Sequence, residues 1–140
     1  MMKSTEPEIQ GKPLAQKKRI LVIDNEGIIL LMYKVLLEMN NYEVVTAQSG
    51  EEAFSTLLKI EAPDLILLDF RLEDMSGAEF LRVLEEKRPD LIQMVPVVFV
   101  TGMDEVPPSK AVGLIRKPID NDKFVASVRR FIEVGTVGKP

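Results

Sequence analysis

The sequence predicts an α/β fold, a doubly wound parallel sheet of five strands. Short aliphatic runs such as Ile20-Leu21-Val22-Ile23 and Leu65-Ile66-Leu67-Leu68 show no polar alternation, which is the pattern of strands buried on both faces. Between them lie stretches with apolar residues at helical spacing, so strand and helix alternate along the chain. Such βαβ units cross over right-handedly and lay their strands parallel. The strand order expected is the flavodoxin-like 2-1-3-4-5.

The elements follow in order. Residues 1–17 hold prolines, a glycine and scattered charges and are expected to form a flexible tail. The globular domain is expected over residues 18–134, with a short tail over 135–140. The first strand is placed at about Arg19–Ile23. From Ile28 to Met39, the residues Ile28, Leu31, Met32, Val35, Leu36 and Met39 recur at helical spacing and predict an amphipathic helix that buries this stripe. Asn40-Asn41 closes it. Tyr42–Ala47 reads as the second strand. Ser49 with Glu52 three residues on forms a capping box for a helix reaching about Ile60. Pro63 precedes the third strand, which ends at Asp69. Beyond a polar loop and Gly77, Ala78–Lys87 forms a helix with Phe80, Leu81 and Leu84 facing inward. Arg88-Pro89 ends that helix. Val95–Val100 is the fourth strand and reaches Thr101; Leu114–Arg116 is a short fifth strand and reaches Lys117. Asp120 or Asp122 caps a last helix carrying Phe124, Val125, Val128, Phe131 and Ile132, and the chain frays from Gly135.

Composition narrows the chemistry. With 140 residues there is room for one domain with a real core and little else. The chain has no histidine and no cysteine, which excludes Ser-His-Asp chemistry, cysteine nucleophiles, disulfides and ordinary zinc sites. Carboxylates, hydroxyls, lysines or a hard cation must carry whatever chemistry exists. A net charge of −4 gives no reason to expect direct nucleic-acid binding. The apolar runs are too short to span a bilayer and the N-terminus lacks a secretory signal, so a cytoplasmic location is expected.

The ends of the interior strands form a constellation. Strand one delivers Asp24-Asn25-Glu26, strand three Asp69, strand four Thr101 and strand five Lys117. In a parallel sheet these ends share one edge, where ligands of open α/β sheets bind. Two carboxylates side by side are costly without a cation between them. A set of carboxylates, a hydroxyl and an ammonium suits phosphoryl chemistry with Mg²⁺. A carboxylate serves as nucleophile, and cations offset charge on the transferring group. Either aspartate alone reads equally well as a helix cap or a loop residue. The four strand ends together do not.

These motifs resemble the receiver domains of two-component response regulators, over about Lys18 to Glu133. Ile20-Leu-Val-Ile-Asp24-Asn25-Glu26 is similar to the family's acidic cluster. Asp64-Leu-Ile-Leu-Leu-Asp69 with Met75-Ser76-Gly77 resembles the phosphoacceptor strand and loop. Val95–Gly102 resembles the strand ending in the signalling hydroxyl, and Arg116-Lys117-Pro118 the Lys-Pro step, a cis peptide in the family. The resemblance implies that Asp69 accepts phosphate from the phosphohistidine of a sensor histidine kinase or histidine phosphotransfer protein. It implies that Asp24, Asp69 and the backbone carbonyl of Arg71 hold Mg²⁺, that Lys117 pairs with the phosphoryl group, and that Thr101 closes over it. The chain would then be no enzyme beyond its own phosphorylation and dephosphorylation. It would be a stand-alone receiver acting on a downstream protein, with homodimerisation left open.

The sequence also departs from the family pattern. Asn25 stands where a second metal-binding aspartate is usual, Glu73 where the loop carries proline, and Leu114 where an aromatic switch residue is usual. The segment between Thr101 and Lys117 is shorter than usual, and Pro107-Pro108 prevents a regular helix through it, so the fourth helix is expected to be shortened or absent. These departures keep a rival reading alive, a receiver-like interaction module that does not use phosphate. A flavodoxin-like cofactor protein is disfavoured by the lack of a Gly-rich or Ser/Thr-rich phosphate loop after strand one.

Overall fold

A computed structural model describes residues 17–137. Five parallel strands form one sheet: β1 (Arg19–Ile23), β2 (Glu43–Ala47), β3 (Leu65–Asp69), β4 (Val97–Thr101) and β5 (Gly113–Arg116). Their spatial order is β2-β1-β3-β4-β5, the order expected. The helices are α1 (Gly27–Met39), α2 (Gly50–Leu57), α3 (Gly77–Lys87), α4 (Pro89–Met94) and α5 (Asn121–Val137). Alternate strand residues feed two cores. Ile20, Val22, Leu65, Leu67, Val98 and Val100 pack under α1 and α5, with Tyr33 stacked on Phe124 at 5.2 Å. Leu21, Ile23, Ile66, Leu68, Val97 and Phe99 pack under α2 and α3, with Phe54 stacked on Phe80 at 4.6 Å. Both faces of β1, β3 and β4 are therefore dry, which is why these strands read as unbroken aliphatic runs.

Local signals act where the sequence places them. Ser49 accepts the Glu52 N–H at 3.0 Å while the Glu52 carboxylate accepts the Gln48 N–H at 2.7 Å, a reciprocal cap. Asn40 caps α1 at its C-terminal end, donating its amide to the Leu36 carbonyl at 2.8 Å, and Asn41 takes the left-handed conformation with φ 74°. Phe80, Leu81, Leu84, Phe124 and Val128 are fully buried as expected.

Four expectations need correction. The predicted stripe of α1 is the wrong one: Ile28, Leu31, Met32, Val35 and Met39 face outward, Leu36 is half-buried, and Leu30, Tyr33 and Leu37 enter the core. Gly27–Met39 is apolar nearly all round, so two stripes compete and packing on the sheet, with the Tyr33–Phe124 stack, selects the phase. Helix α2 stops at Leu57, three residues short of Ile60, in turns where Lys59 and Ile60 both donate to the Thr56 carbonyl. Arg88-Pro89 does end α3, but Pro89 then opens a short helix, α4, that the sequence reading lacks; proline suits a first helical position, where no N–H is needed. Finally, α5 starts at Asn121 and continues through Val137, past the fraying expected at Gly135. Asp120 stands just before it and its carbonyl accepts the Phe124 N–H. The expected tail over residues 1–17 lies outside the described residues except for Lys17.

Between β4 and β5 there is no helix, as expected. Residues 102–112 run instead as an irregular strap, and Val106 and Ala111 pack with Leu114 against the α2–α3 side of the sheet. Among the described residues no helix is long and apolar enough to cross a membrane.

Candidate functional site

Strand register assembles the site. Ile23 pairs with Leu68, so the next residues, Asp24 and Asp69, emerge side by side. Asp69 pairs with Val100, which puts Thr101 one step beyond on β4. Thr101 in turn pairs with Arg116, and the Lys117 N–H donates to the Thr101 carbonyl at 2.8 Å. Four residues far apart in sequence thus stand at the carboxyl edge of three adjacent strands and the step after the fourth.

The charges are tightly organised. Asp24 is buried; one carboxylate oxygen accepts the Glu26 N–H at 2.9 Å, and the other lies 3.1 Å from the Lys117 ammonium. The same ammonium stands 3.6 Å from Asp69. Burial pushes the Asp69 carboxyl above its ordinary value, and the Asp24 charge pushes it further. Lys117 and the N–H groups of Arg71 and Phe70 pull it back without winning. Lys117 therefore bridges two carboxylates whose mutual repulsion it only partly offsets. The step from Lys117 to Pro118 is cis.

The other expected residues are less engaged. Thr101 is buried, and its hydroxyl accepts the Met103 N–H at 3.2 Å. Asn25, Glu26 and Arg71 are exposed at the rim. Leu114 is half-buried in the cluster with Val106 and Ala111.

The donor set fits a hard divalent cation. Asp24 and Asp69 would supply charged oxygens, and the Asn25 amide and Arg71 carbonyl belong to exposed rim residues next to them in sequence that could add neutral ones, with waters completing the shell. The repulsion that raises Asp69 is also what an added cation would relieve.

Two residues, Asp74 and Tyr33, escaped sequence reasoning. Asp74 grips the start of α2, its two oxygens accepting the Gly50 and Glu51 N–H groups, each at 2.9 Å. This ties the loop after Asp69 to the neighbouring helix. No spacing rule announces a contact spanning 24 residues. Tyr33 is buried under the site; burial first, then the charges of Asp24, Asp69 and Glu26, push its phenol well above its usual value. Its off-stripe position hid it. Gly77 lies so close to β3 that an added Cβ would meet the Asp69 carbonyl at 2.5 Å, and its N–H donates to the Phe70 carbonyl.

Comparison with known proteins agrees with this geometry. The response regulator receiver domain family model matches residues 20–129. The chain is 38% identical over 88 residues to the alkaline phosphatase synthesis transcriptional regulatory protein PhoP of Bacillus subtilis, covering 63% of this chain and 35% of that protein. It therefore spans about a third of that regulator's length. It is 25% identical over 121 residues to the polar-differentiation response regulator DivK of Brucella anthropi, covering 82% of this chain and 96% of DivK. Among solved structures, a CheY-like response regulator receiver domain protein from Methanospirillum hungatei superposes with a TM-score of 0.77 at 27% identity, covering 89% of this chain and all of that one. With the family matched over most of its length and the strand order and site in place, the chain belongs to the response regulator receiver domain family.

Proposed function

We propose that the chain is a phosphorylatable receiver: Asp69 takes a phosphoryl group from the phosphohistidine of a sensor histidine kinase or histidine phosphotransfer protein, in an Mg²⁺-dependent reaction. The phosphorylated protein signals through altered contacts with a downstream protein. The observation that carries this reading is Asp69 held beside Asp24 at the carboxyl edge, with the Lys117 ammonium 3.1 Å from one carboxylate and 3.6 Å from the other.

The chemistry asks little of the protein beyond placement and charge. An Asp69 oxygen attacks phosphorus; the O–P bond forms as the N–P bond to imidazole breaks. The imidazole leaves with that electron pair and takes up a proton. Lys117 lies where it can turn from the carboxylates to the phosphoryl oxygens. The Thr101 hydroxyl can donate to a phosphoryl oxygen while still accepting from Met103. Mg²⁺, held by Asp24, Asp69, the Asn25 amide and the Arg71 carbonyl, would supply the remaining positive charge.

Intact mass after incubation with Mg²⁺ and acetyl phosphate should rise by one phosphoryl group in the wild type and not in Asp69→Asn. A wild type that gains no mass over a range of Mg²⁺ concentrations and donors sinks this reading. The phosphate-independent interaction module then takes its place. One observation already leans that way: Leu114 is half-buried against the α2–α3 core, an aliphatic side chain with no ring to turn.

A further inference from the structure

Helix α1 shows solvent a face that belongs in an interface. Of the nine large apolar side chains exposed among the described residues, five lie on this helix: Ile28 (78% exposed), Leu31 (60%), Met32 (53%), Val35 (49%) and Met39 (77%). The other four are scattered over separate elements. The helix's flank, with Leu36 and Ile119, lines a groove of about 440 Å³. Single exposed apolar residues need no explanation, but a contiguous patch does.

Three features select the occupant. The only charged residues on the helix, Lys34 and Glu38, pair with each other, so the face offers no net charge by which to choose an oppositely charged partner. Ile28, Met32, Val35 and Met39 are spaced four, three and four residues apart, the alternation of a helix-on-helix seam. The seam is also its own complement. Two copies laid antiparallel across a two-fold axis set Ile28 against Met39 and Met32 against Val35, a stiff β-branched side chain against an adaptable methionine at each level. Each copy exposes roughly 500 Å² of this surface. The pair would bury on the order of 1,000 Å², the lower bound for a specific interface.

We propose that α1 is a homodimer interface, packing antiparallel against α1 of a second copy through Ile28, Met32, Val35 and Met39. An interface near the lower size limit is expected to be reversible, with the dimer detectable at chain concentrations on the order of 10–100 µM.

Sedimentation velocity of the full chain across that concentration range should show a monomer–dimer equilibrium, weakened at least tenfold by Val35→Lys or Met32→Lys and unchanged by Leu58→Lys on the far side. Because the chain has no cysteine, cross-linking gives a second test that places little demand on folding. When Met32→Cys and Val35→Cys chains are mixed and mildly oxidised, the mixed disulfide should outpace either same-variant disulfide. A chain monomeric throughout, a dimer indifferent to Val35→Lys, or cross-linking without preference for the mixed pair would each overturn the proposal.

Discussion

Asp69 is the residue on which burial, a neighbouring carboxylate and an ammonium all act, and the first two prevail. The sign of the consequence is fixed. A carboxyl whose folded pKa lies above its unfolded value binds protons more readily when folded, so its ionisation opposes folding. That cost is absent below the unfolded pKa and grows as pH rises through the folded one. Asp69→Asn should therefore be more stable than wild type at pH 7, and the advantage should shrink on acidification toward pH 3. Urea midpoints at the two pH values measure it; an advantage that grows on acidification would contradict the assignment. The same crowding bears on Asn25, which stands at the rim with a neutral oxygen where the family usually carries a charged one. Asn25→Asp should bind Mg²⁺ more tightly, since a carboxylate gains on the order of 1–4 kcal/mol of attraction per unit charge at ~4 Å for effective dielectrics of ~80 to ~20. Calorimetric titration checks this, and equal affinity in the two proteins would mean that Glu26 already fills the role.

At the scale of elements, the loop after Asp69 depends on α2 through Asp74. Burial nudges the Asp74 carboxyl up, but the Gly50 and Glu51 N–H groups outweigh it and hold the group below its usual value. A depressed folded pKa contributes stability that is present at neutral pH and lost as pH falls through it. Asp74→Ala should cost about 1 kcal/mol at pH 7 and less near pH 3, as acidification begins to weaken the two hydrogen bonds. Chemical denaturation at both values reads it. Which elements were legible in the sequence follows from how local their causes are. The strand runs, the Ser49–Glu52 cap and the Pro107-Pro108 break act within a few residues, and the structure has each in place. The phase of α1 was not legible, because Gly27–Met39 offers two apolar stripes and only the sheet and Phe124 choose between them. The extra helix α4 is not legible either, because Arg88-Pro89 signals the end of one helix and a proline after a break is equally a start.

For the whole molecule, the site was legible because a parallel sheet converts sequence order into spatial order. Once strand ends are assigned, register does the rest: Ile23 beside Leu68 brings Asp24 to Asp69 without further information. Contacts that bypass the sheet, such as Asp74 to α2 or Tyr33 beneath the carboxylates, leave no periodic trace.

The strap over residues 102–112 carries one further consequence, and it concerns time. The backbone bonds that hold it cluster at its ends: Met103 to the Thr101 hydroxyl at one, Val112 to the Val97 carbonyl at the other. Between them the amides lack a helix's ladder, whereas the amides of β1, β3 and β4 lie in paired interior strands. Hydrogen exchange should split accordingly, with Asp104, Glu105 and Lys110 exchanging near unprotected rates and Leu21, Leu67 and Phe99 only on global opening. Strong protection across the strap would show that its side-chain packing suffices. If the split is found, a partner docking on this face meets a surface that rearranges far faster than the domain unfolds, tethered at the end nearest Asp69 by the Thr101 hydroxyl and the Asp104–Arg116 ion pair.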